Sequence, residues 1–294
     1  MKNIPDTEQV NPRTAHLDQL TSRQLVRLFN TEDFNAARAV KSAHQEIATV
    51  MLQAAETYGL GRKIIFIGAG TSGRLGILEA VECVPTFGTK PSQIIGLIAG
   101  GKKALFRSQE GAEDNPVQGA VQIARYVKSG DLVVGLTASG NTPYVQGALK
   151  QAFKLGAYTA LVSCNKNACT HYVKTHIYLP TGPESLAGST RMKAGTATKM
   201  VLNAITTGAM ALSGKTYGNL MVDVQPTNQK LIARAIRLIM AIAHTNEKTA
   251  RRLLMASGKN VKTAVVMYRK KCTRIQAQTK LKKAHGFLAE VLDD

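Results

Sequence analysis

The sequence predicts a doubly wound α/β body, a parallel sheet covered by helices on both faces, preceded by helices and followed by a small helical domain. Three observations predict it. Short apolar runs recur at 64–67, 94–98, 132–136, 159–162 and 177–179; helical stretches lie between them at about 117–128, 143–155 and 196–213; and after Gly218 the strand signals stop while amphipathic patterns continue. Short buried strands that alternate with helices are the pattern of a parallel sheet with both faces covered.

The elements follow in order. Residues 1–60 read as a helical lead-in: Thr21-Ser22-Arg23-Gln24 has the form of a capping box, and Phe34 to Tyr58 is long, Ala-rich and amphipathic. The run Ile64 to Ile67 then breaks into Gly68-Ala69-Gly70-Thr71-Ser72-Gly73, and Arg74 to Val84 resumes a helical pattern, which is strand, glycine loop, helix. Residues 61–218 hold all the strand signals and form the predicted α/β domain. In the C-terminal domain, 219–294, Gln229 to His244, Asn246 to Ala256, Val261 to Tyr268 and Gln276 to Val291 read as helices.

Composition supports a folded chain large enough for a sizeable core: 294 residues, 44% hydrophobic and 19% charged. The N-terminus lacks an apolar leader and no run is long enough for a membrane span, so a cytoplasmic protein is expected. Cys83, Cys164, Cys169 and Cys272 fit neither a disulfide framework nor paired zinc-ligand spacing and read as free thiols.

The net charge of +19 raises nucleic acid as a partner, but its distribution argues otherwise: Asn228 to Asp294 carries fifteen Lys and Arg against four acids. This basic excess lies mainly outside the predicted site and reads as a solvated surface; the absence of Trp also argues against base stacking. Membrane and nucleic-acid partners are therefore not expected.

Two loops carry the chemistry. Gly68 to Gly73 follows the first strand and Thr137-Ala138-Ser139-Gly140-Asn141-Thr142 follows the third. At the carboxyl ends of parallel strands, such loops let backbone N–H groups and hydroxyls approach an oxyanion. Taken singly, each is explained equally well as a tight turn. The first lacks the third Gly of a dinucleotide fingerprint and the Gly-Lys-Ser/Thr ending of a nucleotide-triphosphate loop, so neither cofactor is expected.

Pairing of hydroxyl-rich loops on a parallel sheet resembles the sugar isomerase (SIS) type of phosphosugar-binding domain, and five longer segments make the resemblance specific. Ile67 to Gly88, Ile98 to Gly101, Glu110 to Asn115, Gly182 to Asn203 and Asn219 to Gln225 are similar to the N-acetylmuramic acid 6-phosphate etherases over nearly the whole chain. Glucokinase regulatory proteins share the domain's ancestry, but they are longer, carry two such domains, and leave open a phosphosugar-sensing binding protein as the alternative. An aldose–ketose isomerase on the same scaffold is a second rival.

The resemblance implies that Glu82 is a general acid and Glu113 the other catalytic carboxylate, assigned as base, in cleavage of the sugar's D-lactyl ether by elimination and hydration. The chemistry needs two carboxylates, one ionised to take a proton from C2 and one able to protonate the departing oxygen. Read without the resemblance, Glu82 is an acidic residue near a helix end and Glu113 a turn or cap residue, with Glu110 and Asp114 as rivals. No redox cofactor is expected, because elimination from a carbonyl-activated carbon needs none, and no metal, because no His, Asp or Cys cluster has a metal site's spacing.

For the substrate phosphate the candidates are Thr71 and Ser72, Ser139 and Thr142, then Ser189 and Thr190, with charge from Arg191 and Lys193; capping the following helix competes with ligand contact for the latter group. The resemblance also implies a homodimer with sites near the subunit interface. This chain departs from the family pattern at Asn141, where arginine is usual, at Glu79, where aspartate is usual, and around Val81 to Pro85 and Ser108-Gln109. His171, His176, His244 and His285 read as surface or packing residues, and Cys83 as a thiol buried beside the site.

Overall fold

The structure, a computed structural model, describes residues 4–293 and divides into two compact units, Met1–Val81 with Ser92–Thr206, and Glu82–Pro91 with Thr207–Asp294.

The first unit is built on a five-stranded, all-parallel sheet: β1 (Ile64–Gly68), β2 (Ile94–Ile98), β3 (Leu132–Leu136), β4 (Tyr158–Ser163) and β5 (Thr175–Tyr178), in the order β2-β1-β3-β4-β5. Every residue of β1 and β3 is buried, which is why these strands read as continuous apolar runs instead of alternating ones. Ile65, Ile67, Val133 and Leu161 pack with Ile123, Tyr144, Val145 and Leu149 from the helices. Fully burying such a side chain stabilises the fold by roughly 1.5–3 kcal/mol.

Helices α1 (Ser22–Ser42) and α2 (His44–Gly59) precede the sheet. The capping box forms as expected, with Thr21 N donating to Gln24 Oε1 at 2.9 Å. The long pattern from Phe34 to Tyr58 is not one helix, however: the backbone leaves helical geometry at Ala43 (φ −103°, ψ 20°), and Ala43 N donates to Val40 O instead. Helix α3 (Gly70–Phe87) follows β1 and is shared between the two units; Pro85 removes the bond that would run to the Val81 carbonyl. Between the sheet strands lie α4 (Pro116–Ala124) and α5 (Pro143–Lys154), and α6 (Lys193–Leu212) follows β5. The close packing of α4 on α5 needs two glycines, since a Cβ on Gly119 would fall 1.9 Å from Tyr144 O and one on Gly147 2.0 Å from Pro116 O.

The second unit is helical: α7 (Gln229–Ala243), α8 (Glu247–Ala256), α9 (Val261–Arg269), α10 (Arg274–Lys283) and α11 (Leu288–Asp293) enclose a core that includes Ile236, Ile239, Leu254, Val265 and Leu288. Asn228, Asn246 and Asn260 cap α7, α8 and α9 by accepting the backbone N–H three residues on, at 2.8–2.9 Å. The pattern from Gln276 to Val291 is broken into two helices, because His285 (φ 49°) and Gly286 (φ 88°) take left-handed backbone between them. Inside this unit Asp223 pairs with Lys215 at 3.0 Å and with Lys262 at 2.7 Å, and Lys262 Nζ also donates to the carbonyls of Gly214 and Gly286. Among the described residues no helix is long and apolar enough to cross a membrane.

Candidate active site

The chain runs from β1 to β2 on one side and returns to β3 on the other, so the strand order reverses between β1 and β3. That switch point, at the carboxyl ends of the strands, is where open parallel sheets bind ligands. Gly68 and Leu136 are paired across it, so the loops beginning at Ala69 and Thr137 leave the sheet side by side. The first loop is tight: a Cβ on Gly68 would lie 2.7 Å from Gly73 N and 3.0 Å from Leu136 O. It delivers Thr71 and Ser72, both half-buried, on the first turn of α3.

The second loop is organised by its own hydroxyls. Thr137 Oγ1 lies 2.7 Å from Thr142 Oγ1 and 3.3 Å from Ser139 Oγ, which in turn accepts from Asn141 N at 3.3 Å. Thr142 stands at the N-cap of α5 without using its side chain as a cap.

A third part of the site comes from the segment before α6. Its first turn passes against the first loop, because a Cβ on Gly195 would sit 3.5 Å from Thr71 Cγ2 and 3.4 Å from Thr190 O. Ser189 and Thr190 are half-buried and Arg191 exposed. Neither hydroxyl caps α6. Glu184 does, with Oε2 accepting from Lys193 N at 3.0 Å and Oε1 from Ala194 N at 2.9 Å. Burial pushes the Glu184 carboxyl up from its ordinary range, opposed by those two N–H groups.

Lys193, expected beside a phosphate, points elsewhere. Its Nζ lies 2.6 Å from Glu32 Oε2, with the two side chains 1% and 0% exposed, so its charge is neutralised inside the fold. Asn11 Nδ2 at 2.9 Å and Arg13 Nε at 2.7 Å complete the carboxylate's surroundings. Burial pushes the Glu32 carboxyl up, but Lys193, Asn11 and Arg13 outweigh it and hold it below the usual carboxylate range. Glu79, one of the departures from the family pattern, is also internal: it is buried against Lys199 and Thr206 of α6.

The acidic segment forms one 3-10 turn, Ala112–Asp114, after a left-handed Gly111 (φ 71°). Glu113 lines a cleft of about 160 Å³ with Ala69 and Gly70 of the first loop, Arg74, Ala99 and Gln109. Arg74 holds one wall by donating to the Ala104 and Leu105 carbonyls at 2.7 and 3.2 Å. Of the rival carboxylates, Glu110 also lines the cleft but accepts from Ser108 Oγ at 3.1 Å, and Asp114 does not line it. The cap of α4 is Asn115, which accepts from Gln118 N at 2.9 Å, so capping does not account for Glu113. Glu82 is exposed on the C-terminal half of α3, within the second compact unit, and its carbonyl accepts from Thr86 Oγ1 at 2.7 Å. Among the described residues no group of three or more His, Cys, Asp and Glu converges to hold a metal ion.

Residues 44–153 match the family model of the glucokinase regulatory protein N-terminal SIS domain. Over nearly its full length the chain is 50% identical to the N-acetylmuramic acid 6-phosphate etherase of Gloeobacter violaceus, covering 98% of this chain and 94% of that protein. The chain belongs to the N-acetylmuramic acid 6-phosphate etherase family. Family members of the same name from Photorhabdus laumondii and an Exiguobacterium species are each 46% identical, covering 96% and 97% of this chain and 94% and 98% of their own lengths. The etherase relationship thus spans both compact units, whereas the SIS-domain match runs from α2 to α5 and takes in β1, β2 and β3.

Two groups in this candidate site carried no local sequence signal. Glu184 caps a helix that begins nine residues later, outside any capping-box spacing. Asn165, after β4, donates to the Ser139 carbonyl at 2.9 Å across 26 residues of chain.

Proposed function

We propose that this chain is a carbon–oxygen lyase that cleaves the D-lactyl ether of N-acetylmuramic acid 6-phosphate, giving N-acetylglucosamine 6-phosphate and D-lactate, in recycling of cell-wall sugars. The observation that carries this reading is near-full-length identity to etherases, 50% in the first relative described. The setting is the cytoplasm and the working form a homodimer.

Two hydroxyl loops at the sheet's switch point and the Ser189–Thr190 segment beside Thr71 supply neutral donors for the substrate phosphate. Lys193 serves the framework through Glu32. The open-chain sugar presents an aldehyde at C1, which acidifies the proton on C2. Glu113 takes that proton as base, the C3–O bond breaks, and Glu82 protonates the departing lactyl oxygen. The product of this step is a C2–C3 unsaturated aldehyde. Water then adds at C3 and a proton returns to C2, which completes the balance of one water consumed per ether cleaved. Glu113 lying in one cleft with Gly70 supports a carboxylate placed close to the sugar while the loops hold its phosphate.

The test is D-lactate release from N-acetylmuramic acid 6-phosphate by the wild type and by Glu113→Ala and Glu82→Ala. Release by the wild type and its loss in both folded variants supports the assignment. A folded wild type that binds the sugar phosphate without releasing lactate overturns it in favour of a sensing protein.

A further inference from the structure

The loop after β3 is tied down by a segment that no part of the reaction has used. The carbonyls of Ala138, Ser139 and Gly140 accept in turn from Cys164 N at 2.9 Å, Asn165 Nδ2 at 2.9 Å and Gln146 Nε2 at 2.7 Å. Asn141 continues the series from the loop's side, its Oδ1 accepting from Cys169 N at 3.0 Å. Gln146 Nε2 also reaches Cys169 O at 3.2 Å, and a Cβ on Gly140 would come 2.3 Å from Ala168 Cβ, so residues 164–169 lie along the loop.

That segment is itself fixed from below. Asn165 is buried, its Oδ1 accepts from Asn167 N at 3.1 Å, and its carbonyl accepts from Ser163 Oγ at 3.0 Å. Ser163 has one proton and gives it to that carbonyl, so His176 Nε2, 2.8 Å away, is the donor to Ser163 Oγ. His176, on β5, therefore supports Ser163, which supports Asn165, which holds Ser139. Fixed carbonyls fix the peptide planes, and with them the directions of the loop's N–H groups.

We propose that Asn141 and Asn165 are positioning residues that hold the Ser139–Thr142 loop in its ligand-ready form, Asn141 acting as acceptor of the Cys169 N–H and not as a ligand contact. This rests on the reading of that loop as part of the phosphosugar site. It has a consequence opposite to simple electrostatics. Asn141→Arg adds a cation to a loop assigned to a phosphate, which by charge alone tightens binding. Arginine carries no acceptor, so the same change leaves the Cys169 N–H without its partner and loosens the loop at its Asn141 end.

The experiment compares wild type, Asn141→Arg, Asn141→Ala and Asn165→Ala. It reads binding of N-acetylglucosamine 6-phosphate by calorimetry, KM and kcat for lactate release, and the alkylation rate of Cys169 located by peptide mass, with circular dichroism to establish folding. The expected result is weaker binding and a higher KM by about fivefold to twentyfold in all three variants, with kcat changed by less than about threefold. Cys169 alkylation is expected to accelerate in all three variants. Asn141 is exposed, so its variants carry the test even where Asn165→Ala fails to fold. An Asn141→Arg protein that binds the phosphosugar as tightly as the wild type, or whose Cys169 reacts no faster, overturns the proposal. Should the wild type bind the sugar phosphate without releasing lactate, the enzyme reading fails and the binding series still decides the clamp. Should it bind no phosphosugar, the alkylation rates decide it alone.

Discussion

Lys193→Met removes the cation from a pair in which both side chains are buried, 1% and 0% exposed. Taking one partner from such a pair costs about 3–5 kcal/mol, because the remaining charge stays out of water. Glu32 would keep Asn11 Nδ2 at 2.9 Å and Arg13 Nε at 2.7 Å, which places Lys193→Met near the lower figure, about 3 kcal/mol. Glu32→Gln leaves the ammonium with only a neutral amide and belongs near the upper figure, about 5 kcal/mol. Replacing both, Glu32→Leu with Lys193→Met, removes both buried charges and is expected to cost less than either single change. The assay is urea unfolding of the four proteins, with hydrogen exchange of peptides from α1 and α6 to localise the loss. The pH dependence has a fixed sign. The folded-state pKa of Glu32 lies below its unfolded value, so the pair's contribution is present above the unfolded value and is lost as pH falls through the folded value. Single variants that each cost under about 1 kcal/mol, or a double variant worse than both, would refute the reasoning.

Further outcomes follow from the site and the framework. Glu113→Ala is expected to lower kcat for lactate release by about 10²–10⁴-fold, as loss of a general base does, while Glu110→Ala, whose carboxylate is engaged by Ser108, changes it by less than about tenfold; steady-state kinetics separate the two. Gly68→Ala drives a methyl to 2.7 Å from Gly73 N, so it is expected to cost about 1–3 kcal/mol in thermal unfolding and to weaken phosphosugar binding measured by calorimetry. Asn260→Ala removes the cap that accepts Thr263 N at 2.8 Å and is expected to destabilise the helical unit by about 1 kcal/mol, seen as faster hydrogen exchange in α9 with lactate release unchanged.

What could be read from sequence was local. The strands β1 and β3 were legible because a parallel strand buried on both faces must be apolar throughout, and the loops after them because glycine and hydroxyl residues interrupt that pattern abruptly. The two helix breaks were not. Ala43 is a good helix former and announces no stop, and at the second break the only residue type that signals one is Gly286, a lone glycine beside a left-handed His285 inside an otherwise continuous pattern. Long-range partners were illegible for a related reason: Lys193 and Glu32 stand 161 residues apart, and a lysine in a Ser-Thr-Arg-Met-Lys segment reads as a phosphate ligand until the fold turns it inward. Asn141 stood out as a missing arginine, whereas its hydrogen bond to Cys169 N depends on a segment placed there by β4. Glu113 was separated from Asp114 by the cleft, which brings it to Gly70.

The central claim is elimination followed by hydration by Glu113 and Glu82, and its most direct test is the fate of solvent atoms. With N-acetylmuramic acid 6-phosphate turned over in water labelled with deuterium and oxygen-18, the account predicts N-acetylglucosamine 6-phosphate carrying deuterium at C2 and oxygen-18 at C3, with D-lactate unlabelled at its ether oxygen. Lactate that carries the oxygen-18, or a sugar product without deuterium at C2, would contradict it.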